Sequence, residues 1–595
     1  MKNRTFLTSI AVALLAMLPF SQAVADNGPV VVGNITINIV DFDPALGFGD
    51  PTPAAPVGGN PGITVGEQRL EAYKRAAEIW DETLDIDVQV VLQAVFTPLS
   101  CSPTSGVLGA AGALTVFRDF PAPSFPSTWY AAALSNELSG FDLGGTTPDP
   151  GFLEPPFNDE IFSLFNSELG TEDCLTGSGW YYGLDNNNPP GTIDFLTVLL
   201  HEVGHGLGFQ NFADDNTGQN FLGFPDQWSR FQRDNALAGK HWDQMIDIER
   251  QFSATNGPNL VWTGPRVTAE APNVLGPAEV ILVNAPADIA GAELPFGTAG
   301  FGPAVPAGGL TGDLELANDG VETASDACEP LTNDLTGKIA LIDRGACTFV
   351  LKAQNAEAAG AVGVIIANNQ PGDTPIGLGG SGPVGIPTVS ATLDGGALLR
   401  EFPGTNVTIG AAASDGSLAG TASNGLVKLY APFPVQPGSS VAHFDVTASP
   451  NVLMEPAINS DLQPTNPAVG VDLTDDLLND IGWDGTVSCP VDANAIPTVN
   501  IFGCDTGVAN RQGTYTVIPS KTWLPGQFGA VAGGCYIQDV VDACFPLLNA
   551  NGGGGQYQSC IAQVTSDLKQ QGNLTKSESG AIKSCATFVA PILNP

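Results

Sequence analysis

Positive charge is scarce in this chain. Its 595 residues carry 21 Lys and Arg against 62 Asp and Glu, a formal net charge of −41. No cationic patch of the size needed by a nucleic-acid groove or an anionic lipid surface can be assembled from so few bases, so no nucleic-acid partner is expected. Charged residues reach only 14% of the total, too few for a coiled coil, and the 71 Gly and 47 Pro follow no three-residue period, which excludes a collagen-like chain. After the N-terminal 25 residues no segment reaches the ~18 uninterrupted apolar residues of a membrane span. No repeat recurs at a solenoid period. The cysteines form no CxxC pair, which argues against a thiolate zinc site or a redox motif, and there are only four histidines.

Apolar residues at 43% supply several cores, and the length corresponds to three or four folding units at about 150 residues each. Lys2 and Arg4, an apolar run from Phe6 to Phe20 and the small-x-small triplet Ala23-Val24-Ala25 have the form of a secretory signal, residues 1–25. A retained membrane anchor is the alternative. The mature chain is therefore expected to be soluble and secreted, or held in a periplasm. Ten cysteines in an exported chain imply disulfides. Pairing Cys101 with Cys174 and Cys328 with Cys347 keeps each bridge inside one domain, whereas Cys489, Cys504, Cys535, Cys544, Cys560 and Cys585 allow 15 connectivities.

Hydrophobic periodicity places a strand at Ile35–Ile39 and a helix whose stripe is Leu70, Tyr73, Ala77, Trp80 and Leu84. A long strand from Ile86 to Phe96 and another around Glu160 to Phe165 follow. A second helix starts near Thr192, after the breaker Asn188-Pro189-Pro190-Gly191. Ile339–Ile342, a helix around Phe349–Ala359 and Val362–Ala367 read as a βαβ unit, and a short helix ends at Ile481-Gly482-Trp483. A Gly552–Gly555 linker precedes a helix, and Thr575-x-x-Glu578 has the form of a capping box.

The second helix carries His201-Glu202-Val203-Gly204-His205. Positions i and i+4 share one helix face, so both imidazoles can hold one metal ion, with Glu202 beside them to take a proton from metal-bound water. Zinc is the expected ion at such a site. A third protein ligand is then needed. Asn211 occupies the position where a short-spaced pattern would have histidine, while Gly208 stands where that pattern has its glycine. The remaining histidines are His241, in an expected helical stretch, and His443. Asp214 and Asp215, just past the helix, are further candidates, as is Glu249 in a gluzincin-like arrangement.

Taken with AHFD at His443 and the turn NVLMEP, HEVGHGLGF resembles the metzincin zinc endopeptidases, specifically the leishmanolysin-like branch, where the third histidine follows an insertion. The resemblance implies an α/β (α+β) catalytic domain, His201, His205 and His443 as zinc ligands, Glu202 as general base and Met454 as the turn methionine. The segment DLTDDLLNDIGW, Asp472 to Trp483, resembles the closing helix of that clan. The chain departs from the pattern in separating His205 from His443 by 238 positions. The segment from ACEPL through IANN, followed by GIPTVS, resembles a protease-associated (PA) domain, which implies a module that gates the cleft or recognises substrate, or merely covers the cleft edge. Asp343 and Arg344 are expected to serve loop structure.

The organisation expected is thus a signal at 1–25, a catalytic N-terminal part at 26–265, an inserted β-rich PA domain at 266–430, a catalytic C-terminal part at 431–486 and a small helical disulfide-rich module at 487–595. With the first strand so close to Ala25, no folded propeptide is expected. The function implied is a secreted zinc endopeptidase with one catalytic ion, hydrolysing protein or peptide substrates by Glu202-assisted attack of zinc-bound water. A binding or adhesion protein on a non-catalytic peptidase scaffold is the alternative. Calcium is compatible with the acidic composition, and the sequence says nothing of oligomeric state.

Overall fold

Alternation at Ile35, Ile37 and Ile39 buries all three side chains in strand β2 (Ile35–Ile39), which pairs with an edge strand β1 (Val30–Val32) that periodicity did not signal. The computed structural model describes residues 29–593 except 44, 104, 121–124, 126, 145–158, 322, 373–374, 381, 457–461, 463–471, 486, 492–497, 502–503, 518–531, 543 and 545–552. The expected signal at 1–25 lies outside the described residues. Helix α1 (Val65–Leu84) opens on a capping box between Thr64 and Glu67 and buries Tyr73, Ala77, Trp80 and Leu84, with Leu70 at the margin.

Strand β3 (Val90–Thr97) runs parallel to β2. It starts later than the expected Ile86, because the N–H groups of Asp87 and Val88 donate to the Glu137 carboxylate at 3.1 and 3.0 Å instead of to a ladder. With β4 (Gly109–Ala113) and β5 (Ile161–Asn166) these strands form one sheet in the order β1-β2-β3-β5-β4, in which both edge strands, β1 and β4, run antiparallel to their neighbours.

Helix α2 (Phe195–Gly206) packs on β4, β5 and α1. It begins three residues later than expected, since Ile193–Asp194 pairs in parallel with Trp180–Tyr181, and Asp194 then caps the helix by accepting from the Thr197 N–H at 2.8 Å. Two glycines fix its path. A Cβ on Gly206 would lie 2.2 Å from Ile161 Cγ2, so glycine alone lets the helix rest on β5. Gly208, at φ 121°, then turns the chain off the helix in a conformation other residues avoid.

The PA segment is an eight-stranded mixed sheet between Glu279 and Ala412. At its centre β6 (Ile339–Asp343), α3 (Phe349–Ala358) and β7 (Gly363–Ala367) form the βαβ unit, with β6 and β7 parallel. Both faces are covered: Ala340, Ile342, Val364 and Ile366 join one apolar cluster, while Ile339, Leu341 and Ile365 join another.

Beyond the PA sheet the chain returns to the first unit. Trp262 N–H donates to Val427 O at 2.8 Å, and Tyr430 N–H to His443 O at 2.9 Å. Helix α4 (Asp472–Ile481) buries Leu473, Leu477, Leu478 and Ile481 in the same core as α1 and α2, and the Trp483 indole donates to Leu207 O at 2.8 Å. The remaining residues have a smaller core of their own and, contrary to the expectation of a helical module, are not helical alone: helices Gly553–Gln570 and Lys576–Leu593 share it with Val499, Ile501, Val508 and Tyr515 of two antiparallel strand pairs. The first of these helices starts inside the glycine run expected to be a linker. The second has the expected reciprocal Thr575–Glu578 bonds.

All ten cysteines are paired. Cys101–Cys174 and Cys328–Cys347 match the expected bridges, and the others are Cys489–Cys535, Cys504–Cys585 and Cys544–Cys560. Cys489–Cys535 ties the C-terminal module to the large core, where Cys535 and Tyr536 are buried. Among the described residues no helix is long and apolar enough to cross a membrane.

Candidate metal centre

Helix α2 presents His201 and His205 one turn apart, with ring centroids 4.9 Å from each other. His443 reaches the same point from the segment that follows the PA sheet. Its Nε2 lies 3.2 Å from the Nε2 of His205 and 3.2 Å from the Nε2 of His201. Residues 238 and 242 positions apart are thereby brought onto one small volume.

The far nitrogen of each ring meets a main-chain carbonyl. His201 Nδ1 is 2.6 Å from Leu453 O, His205 Nδ1 is 2.6 Å from Phe209 O, and His443 Nδ1 is 2.8 Å from Ser439 O. A carbonyl oxygen only accepts, so each Nδ1 carries the proton and each Nε2 offers a lone pair. Three converging lone pairs repel one another unless a cation lies between them. Nitrogen ligands at 2.0–2.1 Å around a tetrahedral zinc ion stand about 3.3 Å apart, close to the observed spacing. Burial holds all three imidazoles below their ordinary range, His205 down to about 3, so all are neutral, as metal ligands must be. The donor set fits zinc.

Glu202 points to the same cleft. Its Oε2 accepts from the Ala111 N–H of the edge strand β4 at 3.0 Å, and burial pushes its carboxyl up to about 7 despite that bond. Met454 is fully buried beneath α2, its Sδ 3.1 Å from the place where a Cβ on Gly204 would sit. Its turn is fixed from both sides, for Leu453 N–H donates to Asp472 Oδ2 at 2.5 Å and Val452 N–H to Glu455 Oε1 at 3.0 Å. The three histidines and Glu202 line a cleft of about 2140 Å³, whose far wall includes Phe301, Phe349 and Val350 of the PA segment. Arg344 is the one cationic side chain among the described lining residues, against Asp194, Glu202, Asp214, Asp215 and Glu455. It also donates to Asn368 Oδ1 at 2.8 Å, while Asp343 accepts from Ser325 and Arg400, so both residues have the structural partners expected of them.

Other candidates stay outside the cluster. Contrary to the helical expectation, His241 stands in a two-residue strand pair (Lys240–His241), because its backbone pairs with Arg233. Its Nδ1 meets Arg230 O at 2.7 Å, beside Asp243 and Asp539 at the junction with the C-terminal module. Glu249 bonds Lys240 at 2.5 Å and the Ile246 N–H at 3.1 Å. Asn211 Nδ2 donates to Asp215 Oδ1 at 3.0 Å, and Asp214 Oδ1 accepts from the Asn216 N–H at 2.9 Å. Sequence reasoning missed the groups that set the tautomers and orient Glu202: Leu453 O, Phe209 O, Ser439 O and Ala111 N–H. As main-chain atoms they leave no mark in residue identity. Asp472 was legible only as the first residue of DLTDD.

Comparison with known proteins bears on the inserted segment. The PA domain family matches residues 280–399. An aminopeptidase of Pseudomonas aeruginosa is 43% identical over 96 residues, 15% of this chain and 18% of its own length. Signal peptide peptidase-like 2 of Arabidopsis thaliana is 38% identical over 86 residues, 13% of this chain and 15% of its own. Among solved structures, BSAP, a zinc aminopeptidase from Bacillus subtilis, is 29% identical over 25% of this chain and 36% of its own, with a TM-score of 0.18. The chain thus spans less than a fifth of the length of these two curated relatives. The relatives include zinc peptidases, and this α/β chain, stapled by disulfides, contains a PA domain at residues 280–399.

Proposed function

We propose that this protein is an exported zinc endopeptidase of the metzincin type, with His201, His205 and His443 as metal ligands, Glu202 as general base and Met454 as the methionine of the turn below them. The observation that carries this reading is the convergence of three Nε2 lone pairs, each fixed by an Nδ1 bond to a main-chain carbonyl, beside a carboxylate on the same helix. Gly208 at the helix exit and Met454 against Gly204 favour the metzincin assignment.

Zinc at such a centre supplies Lewis acidity, which acidifies water and polarises a carbonyl. The chain's own groups do the rest. Ala111 N–H holds one oxygen of Glu202, so that the carboxylate can receive the proton of the attacking water and pass it to the leaving amine. The edge strand β4 offers backbone groups to an extended peptide, and the PA wall bounds the cleft opposite. An extended substrate passing between these walls is cleaved internally, which favours endopeptidase over aminopeptidase action. The test is casein cleavage by purified protein beside Glu202→Ala, with zinc content measured for both. Cleavage by the wild type alone at equal zinc is expected. Equal activity in the two would overturn the role of Glu202, and zinc absent from both would overturn the centre itself.

A further inference from the structure

We propose that Asp319, Asp326 and Glu329 form a calcium site in the PA domain, separate from the histidine centre. One carboxylate oxygen of each lies within 4.8 Å of the others. Asp319 and Asp326 are buried, only 5% and 6% exposed, while Glu329 closes the group from the solvent side. Asp319 Oδ1 accepts from the Val321 N–H at 3.2 Å, but its Oδ2 is buried and has no hydrogen-bond partner. A buried carboxylate oxygen left unsatisfied is costly, and a cation seated among the three carboxylates removes that cost.

The cation built into the fold nearby, Lys352, attracts all three carboxylates and offsets only part of their charge. Lys352 on α3 is fully buried, yet its ammonium donates to Asp326 O and lies 3.5 Å from Cys328 Sγ. Its bond thus goes to a main-chain oxygen, and the attraction to the three carboxylates is through space. Three carboxylates and one ammonium leave a charge of −2, which a divalent ion balances. A donor set of oxygen alone, without histidine or thiolate, selects calcium over zinc, and calcium accepts the irregular geometry of a loop and completes its six to eight ligands with carbonyls and water.

The site stands behind the cleft wall. The bridge Cys328–Cys347 ties its loop to residues 344–350, and a Cβ on Gly345 would lie 3.0 Å from Asp326 Oδ2. Calcium bound there stiffens the rim that Phe349 and Val350 present to the cleft.

The experiment is calorimetric titration of calcium chloride into the full chain, stripped of metals on a chelating resin and then reloaded with one equivalent of zinc. One calcium per chain is expected, with at least a tenfold weaker affinity in Asp319→Asn. Glu329→Gln, an exposed position that leaves the buried pair intact, is expected to weaken binding as well and decides the matter should Asp319→Asn not fold. The zinc content and casein cleavage of Glu329→Gln are expected to be unchanged without calcium, which keeps this test apart from that of the peptidase reading. No calcium uptake by the wild type, or wild-type affinity in the folded variants, would overturn the proposal.

Discussion

The Nδ1 of His201 donates to the carbonyl oxygen of Leu453 at 2.6 Å, and the N–H of the same Leu453 donates to Asp472 at 2.5 Å. One peptide segment thus connects a candidate ligand to the start of α4. Replacing Asp472 by Ala leaves the Leu453 N–H without its acceptor and frees the turn that orients His201. Zinc affinity is expected to fall about 10–100-fold, the usual effect of losing a group that orients a ligand. Competition with a chelator measures this directly, and an unchanged affinity would show that the turn holds itself.

Glu202→Gln keeps the size of the side chain and removes the base. We expect casein cleavage to drop by at least about 10²-fold, the lower end of what general-base catalysis contributes, with zinc still stoichiometric. His443→Ala behaves differently, because two imidazoles remain where three converged: zinc after dialysis should become substoichiometric and activity should fall with it. Metal analysis beside the assay separates the two cases.

Gly206→Ala tests the fit between α2 and the sheet. The added methyl would meet Ile161 Cγ2 at 2.2 Å, and overpacking of this kind costs about 1–3 kcal/mol. A lower denaturation midpoint is expected, together with lower activity, since the same helix carries both histidines. An unchanged midpoint would mean that β5 can retreat freely.

Glu160 gives a pH prediction. Burial pushes its carboxyl up to about 7, against the lowering influence of the Val91 N–H that donates to it at 2.7 Å. Because the folded value is raised, the folded state binds the proton more tightly. The contribution to stability is therefore complete below about pH 4 and is lost as pH rises through 7. Glu160→Gln imitates the protonated form and should flatten the decline in melting temperature between pH 5 and 8. Asp472 and Asp476, also raised to about 7, keep part of the slope in the variant. A slope identical to that of the wild type would count against a buried, proton-binding Glu160.

The Cys101–Cys174 bridge closes 73 residues of separation and joins segments that both line the cleft. On the loop-entropy account its loss costs about 4 kcal/mol. Cys101→Ser with Cys174→Ser should lower the thermal midpoint and expose the 98–111 segment to proteolysis. Retention of the wild-type cleavage pattern would show that the rim is held by its strand pairing instead.

What the sequence determined by itself was local. The i, i+4 spacing places His201 and His205 on one face because helix geometry depends only on neighbouring residues. The βαβ core of the PA domain, the bridges within the N-terminal and PA parts and the Thr575–Glu578 cap were legible for the same reason: each partner lies close along the chain or is the only other cysteine in its domain. Sequence could mark His443 by resemblance but could not bring it to His205 across 238 positions. That closure depends on the PA sheet returning its two ends to the same core. The start of β3 was likewise set by Glu137, far along the chain, and the Cys489–Cys535 pair by the docking of the C-terminal module. The tautomers of the three histidines were decided by main-chain carbonyls, whose positions exist only once the chain has folded.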